Sequence, residues 1–152
     1  MIRFGFRLLR LLLVAVLGAA LAAKFLLESH AEAETEEIDL VNIFGSKELV
    51  SSADPFFGGK ITNAFGGTLL DLRKATPAPT GIYLDVLVVF GGVELVIPYG
   101  WRVVFEGTTF AGGFNDSTDP ATDPDVPVVR ISGIIALAGV RAASRSQVEA
   151  VV

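Results

Sequence analysis

Three carboxylates of this sequence stand in apolar, strand-like segments, where paired acids could do general acid and base chemistry. They are Asp71, Asp85 and Glu94. Such chemistry needs two carboxyl groups near one another, which would follow if these segments lie side by side. Single charges on strands are more simply explained as outward, solvated side chains, because burial of an unpaired carboxylate is costly. We therefore predict no catalytic residue.

A second acidic cluster lies in the segment Asn115–Asp125, which carries four carboxylates within ten residues. Carboxylate oxygens at that density can bind calcium. The segment lacks the central glycine and the closing glutamate of an EF-hand loop, and it contains Pro120 and Pro124. Clusters of Pro, Asp, Ser and Thr are ordinary loop chemistry. We therefore predict a solvated loop and no metal site.

Other catalytic and cofactor chemistry has no support in the sequence. His30 is the only histidine and lies in the acidic spacer, where no catalytic triad can be assembled from it, and the chain has no cysteine. Gly-Gly pairs occur, but none opens a helix or matches GxGxxG or a phosphate-binding loop with its lysine. From Ile38 onward eight basic residues face twelve acidic ones, a net charge of minus four, which argues against nucleic acid as a partner. We expect no cofactor and no enzymatic activity.

The tripeptide Phe-Gly-Gly recurs, exactly or as a close copy, along the first two thirds of the chain. The copies are Phe44-Gly45-Ser46, Phe65-Gly66-Gly67 and Phe90-Gly91-Gly92. Each is followed by an apolar stretch, and a period of roughly 20 to 25 residues is typical of stacked coils. We predict an all-β solenoid of about four to five coils on this basis. Its corners would lie at these copies, with glycine turning the backbone and phenylalanine filling the interior.

Alternating apolar residues identify the strands of these coils. Ile82, Leu84, Val86 and Val88 would face one way, and beyond Phe90 the residues Val93, Leu95 and Ile97 share a face. Earlier coils are predicted at Ile38–Val50 and Ile61–Arg73. A fourth follows at Val103–Phe110, and Val128–Val140 closes the set in chain order. The charged segment Arg141–Arg145 is expected to protect the end of the stack.

The N-terminus carries a long apolar segment. Residues 8–27 are long enough to cross a bilayer if Arg10 and Lys24 extend towards opposite headgroup layers. Basic residues precede this segment and glutamates follow it, so the positive-inside rule places the N-terminus in the cytoplasm and the remainder outside. A cleaved signal peptide is the alternative, with a cleavage site near Ala22 or Ala33. Lys24 directly after the first site favours an uncleaved anchor.

These patterns divide the chain into four parts. We predict a membrane anchor at 1–27, an acidic spacer at 28–37, the β-domain at 38–142 and a tail at 143–152, either a short helix or disordered. Tyr99, Trp101 and Arg102 form a candidate interaction surface, because aromatic and arginine side chains anchor interfaces. Trp101 could equally cap the end of a coil.

Four motifs follow one another in the second half of the chain: FGGTLLDLRKA at 65–75, IYLDV at 82–86, FGGVELVIP at 90–98 and a late strand that ends in AGVR at 138–141. In the order of these motifs, the stretch from Ile61 to Val140 resembles the C-terminal domain of the LiaF-like family, the cell wall-active antibiotics response proteins of bacteria. The resemblance implies a short right-handed β-helix and a regulatory, non-enzymatic role. The family's founding member inhibits a membrane histidine kinase, but its type carries several membrane helices, whereas a single one is predicted for this chain.

The sequence thus predicts a single-pass protein of the bacterial cell membrane with an extracytoplasmic β-solenoid for interaction or sensing in the envelope stress response. Its partners would be the membrane and a membrane sensor kinase or another envelope protein. The alternative is a self-associating scaffold like the bactofilins, in which end coils stack between subunits. A carbohydrate-active β-helix is a third class, and it lacks a credible acidic cluster.

Overall fold

The computed structural model describes residues 10–19 and 32–146. Residues 10–19 form a helix, α1, and the remainder is mostly β. The nine strands are β1 (Glu37–Asn42), β2 (Gly45–Val50), β3 (Gly58–Asp71), β4 (Ile82–Ile97), β5 (Arg102–Phe105), β6 (Thr108–Phe110), β7 (Gly113–Ser117), β8 (Val128–Ala136) and β9 (Gly139–Ser144). The predicted all-β class is confirmed for the domain, and its strands begin at Glu37 and end at Ser144.

Every pairing between these strands is parallel, and the register follows the sequence repeat. Ile61 of β3 pairs with Leu40 of β1 on one side and with Val86 of β4 on the other. The separation in sequence from Leu40 to Ile61 equals that from Phe44 to Phe65, and the next step likewise equals that from Phe65 to Phe90. The repeat therefore reflects the hydrogen-bond register, in which equivalent residues of successive segments lie side by side.

The predicted alternation of buried residues in β4 is confirmed. Ile82, Leu84, Val86 and Val88 are buried, as are Val93, Leu95 and Ile97. Buried positions before Phe90 have even numbers, whereas from Val93 onward the odd-numbered positions are buried, with Val96 in addition. The strand therefore changes, near Phe90, which of its alternating side chains point to the core. The same change occurs in β3, where Ile61 and Asn63 are buried before it, and Thr68 and Leu70 after it.

Residues in the left-handed backbone region lie at these changes of face. The backbone angle φ is 57° at Phe65, 53° at Phe90 and 52° at Leu137, where the buried face changes between β8 and β9. A φ of 48° occurs at Ala111, between β6 and β7, which have no buried residue. These four residues, here called the αL row, are flanked by register pairs and so occupy equivalent places in neighbouring strands. A single residue of this kind breaks the two-residue period of a strand and turns its side chains to the other face.

The phenylalanines of the repeat do not fill the interior, so that prediction is wrong. Phe65 is 41% exposed and Phe90 is 47% exposed. The left-handed conformation directs these side chains out of the sheet. The core consists instead of aliphatic side chains from both halves of the long strands, together with Phe56 and Trp101.

The interior next to the change of face contains buried amide side chains, where the sequence predicted phenylalanine rings. Asn42 and Asn63 lie side by side in β1 and β3. The Nδ2 of Asn42 donates to Oδ1 of Asn63 at 2.9 Å and to the carbonyl oxygen of Gly67 at 2.9 Å. Thr68 Oγ1 donates to the same Asn63 oxygen at 2.9 Å. Because the acceptors come from before and after Phe65, this network holds the two halves of β3 together.

The order of the strands differs from the order of the chain. The sequence predicted coils stacked in chain order, with Val128–Val140 last. In the structure β8 lies between β4 and β5, and β9 lies between β4 and β7. The segment β5–β7 therefore lies at one end of the strand order, and β1 and β2 lie at the other. For the same reason Arg141–Arg145 does not protect an end, since β9 is an inner strand and Ala142 and Ala143 within it are buried.

The predicted membrane segment is only partly described. Of residues 8–27, the structure describes 10–19 as α1, and the others lie outside the described residues, as do 147–152 of the predicted tail. Among residues 10–19 and 32–146, no helix has the length and apolarity that crossing a bilayer requires.

The two glycines of each repeat have different surroundings. A Cβ added at Gly66 would collide with the carbonyl oxygen of Gly45, and one at Gly91 would collide with that of Gly66. At Gly67 a Cβ would meet nothing within 4 Å, and at Gly92 its nearest neighbour would be 3.4 Å away. Only the first glycine is required for the close approach of neighbouring backbones.

We therefore expect Gly91→Ala to destabilise the purified chain by about 1 to 3 kcal/mol, because backbone atoms must move to admit the methyl group. Gly92→Ala is the matched control and should leave stability within about 0.5 kcal/mol, or raise it slightly. Urea denaturation followed by circular dichroism measures both. Equal midpoints for the two variants would contradict the close approach at Gly91.

Candidate functional site

The three residues of the predicted interaction surface, Tyr99, Trp101 and Arg102, do not lie on one exposed face. Trp101 is only 8% exposed and belongs to the core. Tyr99 is exposed, and Arg102 begins β5 with a partly exposed side chain. Of the three residues, Tyr99 and Arg102 can contact a partner, whereas Trp101 packs against the interior.

A stack of aromatic rings lies on the outer surface and includes two residues of the αL row, Phe65 and Phe90. The rings of Phe44 and Phe65 are 5.4 Å apart and 20° from parallel, and those of Phe65 and Phe90 are 5.1 Å apart and 14° from parallel. The parallel register places these residues in adjacent segments, so their rings stack at about the strand spacing. We call Phe44, Phe65 and Phe90 the aromatic ridge.

A row of glycines runs beside this ridge. Gly67, Gly92, Gly139 and Gly113 pair in succession across β3, β4, β9 and β7, and Ser46 of β2 continues the row. A Cβ at Gly67, Gly113 or Gly139 would meet nothing within 4 Å. The sequence predicted Gly67 and Gly92 as corner glycines, but the space above them is open. The second glycine of the Phe-Gly-Gly copies is the sequence feature from which this surface could have been predicted.

The row forms the floor of a groove of about 760 Å³, here called the glycine groove. Its wall opposite the ridge consists of residues two positions further along each strand: Glu48, Leu69, Glu94, Arg141 and Asn115. Arg145 Nη2 donates to Oε1 of Glu94 at 2.9 Å. The groove thus has a floor of glycines and a wall with charges of both signs, and the aromatic ridge lies next to it without lining it.

Apolar side chains continue on the other side of the ridge. Leu87 of β4 and Ile134 of β8 are register partners, and both are more than two-fifths exposed, as is Leu137 of the αL row. Together with Phe65 and Phe90 they form an exposed apolar patch. Exposed apolar side chains that lie together in this way make this face a candidate surface for contact with another molecule.

The three carboxylates considered for catalysis are not brought together. Asp71 pairs in register with Val96, Asp85 with Lys60 and Ser132, and Glu94 with Leu69 and Arg141. None of the three therefore lies beside another. Asp85 is exposed and Glu94 is partly exposed, as predicted for outward side chains.

Asp71 departs from that expectation, because it is 3% exposed and paired with Arg73, which is 8% exposed. Arg73 Nη2 donates to Oδ2 of Asp71 at 2.6 Å, and Arg73 Nε donates to Oδ1 at 2.9 Å. Arg73 Nη1 also donates to the carbonyl oxygen of Ser146 at 3.0 Å. The prediction of a solvated Asp71 is wrong, because a guanidinium from the same chain segment supplies the partner that burial requires.

The electrostatics of Asp71 follow from this geometry. Burial opposes ionisation of its carboxyl group, but the hydrogen bonds and charge of Arg73 outweigh burial, so the pKa of Asp71 lies below its ordinary value. The pair therefore remains ionised at neutral pH. Because Arg73 also bonds Ser146, it joins the end of β3 to the chain beyond β9.

The acidic segment Asn115–Asp125 is shorter as a loop than predicted, because Asn115, Asp116 and Ser117 belong to β7. Asp116 and Asp123 accept hydrogen bonds from nearby backbone amides, those of Thr118 and Asp125. Within residues 10–19 and 32–146, no three side chains of His, Asp or Glu are grouped as metal ligands would be.

Comparison of the chain with protein-family models, with curated proteins and with solved structures found no match.

We expect Phe90→Ala to lower the free energy of unfolding by about 1 kcal/mol, since it removes one ring from a half-exposed stack. Phe56→Ala, at a fully buried ring, should lower it by about 3 to 5 kcal/mol. Thermal and urea denaturation of both variants tests this. Equal losses would mean that the ridge is part of the core.

We expect Asp71→Asn to destabilise the chain by about 3 kcal/mol at pH 7, because it leaves the buried Arg73 without its counter-ion. Glu106→Gln, in the exposed pair with Arg130, should change stability by less than about 1 kcal/mol. Urea denaturation at pH 7 measures both losses. A similar loss for the two variants would contradict a buried ion pair at Asp71.

The pH dependence provides an independent check. Because the folded pKa of Asp71 is lowered, its ionisation stabilises the fold fully above the unfolded value near 3.8. That contribution is lost as the pH falls through the lower folded value. The stability difference between wild type and Asp71→Asn should therefore be constant from about pH 5 to 7 and shrink below about pH 4. A difference that persists unchanged at lower pH would contradict the lowered pKa.

Proposed function

We propose that this chain is a membrane-anchored, non-enzymatic interaction module with a regulatory role in the bacterial cell-envelope stress response. Its strands would coil as a short right-handed single-stranded β-helix. Support comes from the all-parallel register, from its agreement with the spacing of the Phe-Gly-Gly copies, and from the change of buried face at Phe65, Phe90 and Leu137. Crossovers between parallel strands of one sheet are right-handed in about 98% of cases.

The proposed location rests on the sequence. Residues 8–27 would anchor the chain, with Arg3, Arg7 and Arg10 on the cytoplasmic side and the glutamates that follow Lys24 outside. The β-domain would then face the extracytoplasmic space. A cleaved signal peptide would send the domain to the same side.

The observation that carries the interaction role is the aromatic ridge beside the glycine groove. Each glycine in a strand lowers stability by roughly 0.5 to 1 kcal/mol relative to alanine, so a row of them over open space suits a surface kept free for a partner. The exposed apolar patch adds area that a partner could bury. The regulatory role comes from the resemblance to LiaF-like domains, whose two motifs FGGTLLDLRKA and FGGVELVIP build this surface.

The alternative is a self-associating scaffold in which domains stack end to end. In the described part of the chain, β5 and β7 each pair with a strand on one side only. An edge of this kind can accept a strand from another subunit. Sedimentation would separate the two proposals, because a scaffold forms assemblies that grow with protein concentration.

An affinity pull-down from native membranes tests the proposed function. Two baits are used: the intact chain, and a chain whose residues 1–27 are replaced by an unrelated anchor. Gly92→Arg would fill the glycine groove, and Tyr83→Ser is a control at another exposed position. We expect an envelope regulator such as a sensor kinase to be recovered by both baits and by the control, and to be lost with Gly92→Arg.

Two results would contradict this expectation. A regulator retained by Gly92→Arg would move the interaction to another surface. Recovery of the chain alone, in large assemblies, would favour the scaffold.

A further inference from the structure

The segment β8–β9 occupies a slot between strands that precede it in the chain. Residues Ile82–Val89 of β4 pair with Val129–Ala136 of β8, and Gly92–Ile97 pair with Gly139–Ser144 of β9. On the far side β8 pairs with β5 and β6, and β9 pairs with β7. Residues 128–144 therefore fill the slot and pair in parallel with strands on both of its sides.

The segment that fills the slot contributes heavily to the core. Val129, Ile131, Ile135, Val140 and Ala142 are each at most 2% exposed. Without β8 and β9, the strands β5, β6 and β7 would lose every strand partner that they have among the described residues. The slot thus fits one sequence closely, and that sequence is present in every copy of this chain.

The connection to this segment favours an extended conformation. Residues 118–127 contain Pro120, Pro124 and Pro127, each preceded by a residue that proline restricts to extended geometry. Asp119, Asp123 and Asp125 add like charges that repel one another. A segment of this length can span at most roughly 33 to 36 Å when fully extended.

Both ends of this connection are attached to the rest of the fold. At the first end, Ala121 N donates to the carbonyl oxygen of Gly100 at 3.1 Å, and Asp119 bonds Gly100 and Ser144. At the second end, Arg102 N donates to the carbonyl oxygen of Pro127 at 2.9 Å. Thr122 to Asp125, between the two attachments, are exposed. If this exposed stretch changes its path, the bond between Ala121 and Gly100 can stay within one chain while Pro127 accepts its bond from Arg102 of a second copy.

We propose that two copies of this chain exchange residues 128–146, so that β8–β9 of each fills the slot of the other, with residues 118–127 as the hinge. Every strand pair and core contact of the single chain is reproduced in the exchanged dimer. The balance between the two forms therefore depends on the hinge and on protein concentration. This inference holds whether or not the domain is regulatory, because it concerns the fold alone.

Cysteine cross-linking of the full chain tests the exchange, since the chain has no cysteine of its own. The variant Leu87→Cys/Ile134→Cys joins register partners of β4 and β8. Adjacent strands lie about 4.8 Å apart, within the range of Cα separations that a disulfide bridges. The control variant Thr62→Cys/Leu87→Cys joins β3 and β4, which do not exchange.

Each variant is unfolded under reducing conditions, refolded at low and at high protein concentration, oxidised and run on a non-reducing gel. After refolding at high concentration, we expect the β4–β8 variant to give mainly covalent dimer and the β3–β4 variant to give only cross-linked monomer. After refolding at low concentration both should give cross-linked monomer.

Two outcomes would overturn the proposal. One is a β4–β8 variant that stays monomeric on the gel at every concentration. The other is a dimer by sedimentation in which both variants are cross-linked within single chains, because that dimer would associate through its surface.

Deletion of Thr122–Asp125 provides a second measurement. A shorter hinge should shift the β4–β8 variant to covalent dimer even at low concentration, since the chain can no longer return to its own slot. A folded deletion variant that remains cross-linked as monomer would also overturn the proposal. If the deletion prevents folding, the proposal is tested by the two cysteine variants that keep the full hinge.

Discussion

The rest of the structure depends on the close approach of neighbouring backbones where the strands change their buried face. Gly66 lies against the carbonyl oxygen of Gly45, and Gly91 lies against that of Gly66, without room for a Cβ. This contact aligns the αL residues of adjacent strands. The alignment determines which side chains enter the core and which form the aromatic ridge, so the surface and the interior of the domain have a common origin.

Polar groups in the interior support the same alignment. Asn42 and Asn63 precede the change of face and donate to the carbonyl oxygens of Gly67 and Gly66, which follow it. Arg73 binds Asp71 and the carbonyl oxygen of Ser146. In the described residues no buried side-chain nitrogen or oxygen lacks a partner. The bonds from Asn42 to Gly67 and from Arg73 to Ser146 connect segments far apart in sequence, which suits a parallel sheet whose neighbouring strands are not joined by a tight hairpin.

The exposed features of the domain and its strand order point to contacts with other molecules. The ridge, the glycine groove and the apolar patch lie together because the register stacks equivalent residues, so successive repeats create one continuous surface. In the proposed exchange a second copy would contribute β8–β9 to the sheet, which is a different kind of contact from one made through the surface. A surface partner and an exchanged copy would use different parts of the domain.

The sequence by itself determined the β class, the repeat and the alternation of buried residues in β4, because apolar period and register are properties of neighbouring residues. It also predicted outward positions for Asp85 and Glu94. The exposure of Phe65 and Phe90, the burial of Asp71 and the position of β8–β9 were decided only by the tertiary structure. The first depends on a single left-handed residue that reverses the side-chain alternation, the second on a partner that supplies the opposite charge, and the third on contacts between segments that no local pattern relates. A sequence pattern records which side chains are apolar, whereas these three outcomes depend on how distant backbones approach one another.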